Sequence, residues 1–170
     1  MLTRFSLTCL IGALATCLNV AVGADLVASD SATPRAQPLV DANAAYVRAD
    51  LRTAINLYEQ VASVTPSEEE SQPVSAAITG LARFRALVAL TSLGDDDQAH
   101  EELQALLATD ANAPLARLAA QFWDQYGMTG SARVACRQLS AAVDSQAHSV
   151  LHTLASVGVS MQHEEVCFVP

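Results

Sequence analysis

Residues 81–139 read LARFRALVALTSLGDDDQAHEELQALLATDANAPLARLAAQFWDQYGMTGSARVACRQL, and this stretch decides the fold because it repeats itself. Gly94 and Gly127 lie 33 residues apart, and the same step carries Leu90 to Trp123, Leu93 to Tyr126, Ala99 to Ala132, Leu103 to Cys136 and Leu106 to Leu139. A helix, a Gly stop and a second helix, restarting at this period, is the signature of stacked helical hairpins. The expectation is an all-α chain.

Working outward, residues 74–93 are expected to form a helix, with Ile78, Leu81, Ala82, Arg85, Ala86 and Ala89 outlining one broad stripe. Leu87, Leu90 and Leu93 widen that stripe, which suits a helix between neighbours. Gly94 ends it, because Gly adopts the left-handed conformation of a helix C-terminus at no steric cost. Asp95, Asp96 and Asp97 then cap and charge the start of a helix over 98–108; a ligand role for the three is the lesser reading. Pro114 suits the first turn of the next helix, expected over 114–126. Phe122, Trp123 and Tyr126 form the densest aromatic group of the chain. They either fill gaps between hairpins or line a groove for a peptide or helix. After a turn at 127–130, residues 131–143 are expected as one helix, with Ala132, Cys136, Leu139 and Val143 inward. Asp144 or Ser145 caps a further helix ending at Gly158, and residues 147–158 read as a half-repeat.

Upstream, the apolar positions Ala42, Ala45, Ala49, Ala54, Leu57, Tyr58, Val61 and Val64 recur at helical steps. Ala49 stands where the later units have Gly, which leaves one long helix or two as open readings. Ala54, Tyr58 and Val61 share the spacing of Ala99, Leu103 and Leu106, but the step between these sets is 45 residues. The excess falls at 65–73. Glu68, Glu69 and Glu70 in that segment are expected to be a solvated acidic run rather than a cation site.

These spacings resemble those of the tetratricopeptide repeat (TPR), which places small or apolar residues at similar intervals around a Gly between its two helices. The resemblance covers roughly residues 42–158 and is best over 81–139; the TPR pattern prefers a large aromatic where Leu103 and Cys136 stand. It implies a TPR-like stack of antiparallel helical hairpins over 38–158, with a concave groove that binds a peptide or partner protein. Arg85, Phe122, Trp123 and Tyr126 are the groove candidates. Residues 159–170 (VSMQHEEVCFVP) have β-type composition at Val166 to Val169 and are expected to form a short extended tail returning to the body.

Residues 1–24 read as a signal peptide: Arg4 is basic, Phe5 begins an apolar run, and Val22, Gly23 and Ala24 offer a cleavage point before Asp25. An uncleaved membrane anchor is the alternative. Leu14, Ala15, Thr16 and Cys17 resemble a bacterial lipobox with Thr at an unusual position. Residues 25–37 read as a flexible linker. The chain carries a net charge of −9 and no Lys. Removing residues 1–24 takes away only Arg4 and makes the charge one unit more negative. Such a chain repels phosphate backbones, so nucleic acid is not an expected partner.

Outside the leader only Cys136 and Cys167 remain, and in an exported protein, periplasmic or secreted, the pair reads as one disulfide. Two separate thiols are the alternative. A bridge clamps the tail across the last helix. His148 and His152 share one helix face at i, i+4 spacing, and His163, Glu164 or Glu165 would complete a metal site. The sequence HSVLH lacks the Glu of the HExxH metalloprotease motif. There is no CxxC, P-loop, GxSxG or GxGxxG sequence, so no catalytic residue is assigned and no cofactor is expected. The expected function is an exported, non-catalytic adaptor or complex subunit, with a metal-binding module as the alternative.

Overall fold

The computed structural model describes residues 33–170, so the expected leader and most of the linker lie outside the described residues. Nine helices and no strand occur among the described residues: α1 (Ala36–Val47), α2 (Leu51–Ser63), α3 (Gln72–Leu93), α4 (Asp96–Asp110), α5 (Pro114–Thr129), α6 (Ala132–Gln138), α7 (Ser140–Gln146), α8 (His148–Ala155) and α9 (His163–Val166). The protein is all-α and held together by helix–helix packing.

The first two hairpins turn in the same way. Ala49 adopts φ +62° and Gly94 φ +78°. In each turn two backbone N–H groups reach back: Ala49 to Tyr46 O and Asp50 to Ala45 O, then Gly94 to Thr91 O and Asp95 to Leu90 O. This is the Schellman closure, which satisfies carbonyls that a helix end leaves open. Asp50 and Asp95 follow as N-caps, accepting from Thr53 N at 3.3 Å and Gln98 N at 3.4 Å. The region 40–64 is therefore two helices. The left-handed residue is an Ala, at a cost of about 1–2 kcal/mol that Gly does not incur.

The third unit departs from the 33-residue register. Gly127 lies inside α5, and the chain stops instead at Gly130, φ +63°, whose N–H bonds Tyr126 O at 2.7 Å. Ser131 caps α6. The expected helix over 131–143 is two, broken at Leu139, whose N–H is shared between Ala135 O and Cys136 O. Asp144 and Ser145 lie within α7 and cap nothing; α8 begins after Ala147.

Helix α3 is the axis of the core. At about 1.5 Å per residue its 22 residues run roughly 33 Å. By length and composition it would suit a bilayer, but most of it is buried by its neighbours. From Ala77 to Thr91 only Thr79 and Arg83 are partly exposed. It packs on α2 and α4, and also touches α5 and α8. Phe84 meets Phe122 edge to face at 6.2 Å, and Gly80 lets Leu115 approach until a Cβ there would lie 3.1 Å from Leu115 Cδ1.

The expected flexible linker and the expected solvated acidic run each send a charged residue into the core, Arg35 and Glu70. Arg35, at the end of the expected linker, is 2% exposed and pairs with Glu70 at 3.0 Å. Its guanidinium also donates to Val61 O at 3.1 Å, Ser75 Oγ at 3.2 Å and Thr79 Oγ1. One side chain thus ties the start of α1 to the end of α2, the 64–71 loop and the start of α3. Glu68 and Glu69 stay exposed, as a solvated run would; Glu70 does not.

Candidate functional site

Arg85 is 1% exposed and belongs to the core. Its guanidinium carbon lies 4.7 Å from the centroid of the Tyr46 ring, a cation–π contact. It donates to Tyr58 Oη at 3.4 Å, Met161 Sδ at 3.5 Å and the carbonyl of Glu165. Tyr58 donates onward to Asn43 Oδ1 at 2.8 Å, and Tyr46 to the carbonyl of Phe168. Burial raises the pKa of both phenols, with the Arg85 charge acting the other way. The expected groove residue is therefore covered by the protein's own C-terminal segment.

That segment is not extended throughout. Residues 163–166 form α9, with the Glu165 carboxylate accepting from Gln162 N at 2.8 Å as a capping box. No neighbouring strand exists among the described residues, so Val166 to Val169 hold to the body through side chains and single carbonyls. The Cys136 and Cys167 sulfurs are at bonding distance with Cα atoms 5.1 Å apart, and Arg133 donates to Pro170 O at 2.8 Å.

The aromatic group divides. Phe122 is buried against Phe84, whereas Trp123 and Tyr126 are half-buried. Tyr126 stacks on Phe122 at 6.2 Å and lies 5.8 Å from Trp123, which faces the His100 ring at 5.4 Å. The Tyr126 hydroxyl donates to Asp96 Oδ1 at 2.7 Å; this bond, then burial and the Asp96 charge, raises its pKa. Asp96 also borders a cavity of about 570 Å³, edged by Arg52, Asn56, Asp97 and Leu93, the last 48% exposed. Asp95 is occupied as the α4 cap, which leaves Asp96 and Asp97 facing outward. A half-exposed aromatic pair is therefore joined to the acidic cavity through the Tyr126–Asp96 hydrogen bond. Such a face suits a segment carrying both positive charge and an apolar anchor.

His148 stacks on His163 at 5.7 Å, while His152 is exposed one turn along α8. No group of three or more His, Cys, Asp and Glu able to hold an ion occurs among the described residues.

Two signals in the sequence bore on Arg85. It is the sole charge within 84–94, and two tyrosines lie upstream at helix positions. The pairing of Arg35 with Glu70 and of Tyr126 with Asp96 carried no comparable mark, because each joins distant segments. No family model, curated protein or solved structure matches this chain.

Proposed function

We propose that the protein is an exported, TPR-like helical-repeat adaptor or complex subunit that works by binding rather than catalysis. Its partner is a protein or peptide that presents a basic segment with an apolar anchor. The observation that carries this is the half-exposed pair Trp123 and Tyr126, joined through the Tyr126–Asp96 hydrogen bond to the rim of the acidic cavity. Aromatic side chains with one wet edge are efficient binding anchors, and the surrounding carboxylates steer a cationic partner to them. The net charge of −9 acts in the same direction. The TPR-like reading rests on the two hairpins with matching left-handed turns and Asp caps. Export rests on the leader-like residues 1–24 and is supported by the cysteine pair, since disulfides persist in oxidising compartments.

The test is site-specific photocrosslinking in the native host. A benzoylphenylalanine is placed at Trp123, at Leu93, or at the exposed control Ala141. One adduct of the same mass from Trp123 and Leu93, absent from Ala141, is expected. No adduct, or equal adducts at all three, would overturn the proposal.

A further inference from the structure

Two ion pairs occur among the described residues, Arg35–Glu70 and Arg83–Glu102. Arg85 belongs to neither. It is a buried cation whose neighbours are a carbonyl, a thioether, a hydroxyl and a ring face, and its Nε–H has no partner. Burying a charge without a counter-charge is costly, so an anion reaching this guanidinium would be stabilised by it.

A cavity of about 360 Å³ opens over this arginine between α1 and residues 160–165. That falls within the ~300–1,000 Å³ of small-molecule sites. Its polar border consists of Arg48, Asn43 and Ser160 beside Arg85, and its apolar border of Ala44, Val47 and Met161. The Asn43 carbonyl oxygen already accepts from Tyr58, which leaves its amide N–H groups to donate. Glu165 also borders the cavity, but its carboxylate is engaged at Gln162 N. Arg85, Arg48 and the Asn43 amide therefore present donors, Ser160 can donate or accept, Glu165 keeps one carboxylate oxygen without a partner, and the remaining wall is aliphatic.

We propose that this cavity binds the carboxylate of a small aliphatic acid, with Arg85 as the buried counter-charge, Asn43 and Arg48 as further donors, and Val47 and Met161 against the alkyl chain. A monoanion matches the single buried guanidinium; a phosphate dianion would bring a second negative charge beside Glu165 with only exposed Arg48 to meet it. The site shares no residue with the acidic aromatic face and goes beyond the adaptor reading.

The experiment is calorimetric and thermal titration of the oxidised protein from its native host at constant ionic strength. The probes are sodium butyrate, the neutral butyramide, and inorganic phosphate. Saturable binding of butyrate, with a rising Tm and at least ten-fold preference over both other probes, is expected. Asn43→Asp supplies a carboxylate from within and keeps the acceptor for Tyr58, so it is expected to raise the Tm and weaken butyrate at least ten-fold. No saturable butyrate effect, equal response to butyramide or phosphate, or unchanged butyrate affinity in Asn43→Asp would each overturn the proposal.

Discussion

Glu70→Ala is the substitution that separates the structure most sharply from a surface reading of its acidic run. The Glu70 side chain is fully buried, and its 3.0 Å partner Arg35 is 2% exposed. Removing one partner of a buried pair costs about 3–5 kcal/mol, because the other charge remains without compensation. Arg35 keeps three neutral acceptors, at Val61, Ser75 and Thr79, which places the expected loss near the lower end, about 3 kcal/mol. At roughly 2–4 °C per kcal/mol for a chain of this size, the Tm should fall by about 6–12 °C. Urea unfolding of the oxidised protein, followed by far-UV circular dichroism, measures the free energy directly. The double variant Arg35→Met/Glu70→Leu removes both charges and is expected to recover most of the loss. A loss below about 1 kcal/mol in Glu70→Ala, typical of an exposed site, would refute the reasoning.

Cys136→Ser/Cys167→Ser opens a loop spanning 31 residues and should cost about 3–4 kcal/mol by urea unfolding, with a matching loss on reduction of the native protein. Ala49→Gly relieves a left-handed Ala at φ +62°. The relief of about 1–2 kcal/mol exceeds the added unfolded-chain entropy of about 0.4–1, so a gain of roughly 0.5–1 kcal/mol is expected. Burial raises the pKa of Glu102 above the ordinary 4.5, against the opposing pull of Arg83. A raised folded pKa means that the folded state holds the proton more tightly, so stability from this group is present in acid and lost as pH rises through the folded pKa. The stability of the wild type minus that of Glu102→Gln should therefore fall as pH rises from about 4 to 7. Chemical unfolding of both proteins across that range checks the slope, and a rising difference would reverse the sign.

Helix type is legible through the body of the chain because apolar periodicity is a local signal, whereas α9 falls in a tail whose β-type composition reads as extended. The turns were legible in proportion to how local their chemistry is. Asp95 after Gly94 announces its own cap, and Ala49 lies in register with Gly94, although an Ala is a poor marker for a left-handed residue. Gly127 misled because the 33-residue register aligns it with Gly94, while α5 carries it as an ordinary helical residue and Gly130 ends the helix. The buried positions Ala132, Cys136 and Leu139 still follow that register, since side-chain facing depends on helical phase rather than on where the helix starts.

The site was less legible. Trp123 and Tyr126 stood out by residue type, but their junction with the acidic cavity depends on Asp96 reaching across from α4, 30 residues away. Arg85 is a groove candidate only through the TPR resemblance, and it lies buried beneath the C-terminal segment. The return of residues 159–168 over Arg85 and Tyr46 depends on tertiary packing that no local pattern encodes. Arg35 was lost in a polar stretch for the same reason.

The most direct test of the binding surface is the affinity of the crosslinked partner, once captured, for the purified protein and two variants. Trp123→Ala/Tyr126→Ala should weaken binding by about 2 kcal/mol or more, roughly 30-fold. Asp96→Asn/Asp97→Asn should slow association and flatten its dependence on salt. Affinities within two-fold of wild type for both variants would contradict the account.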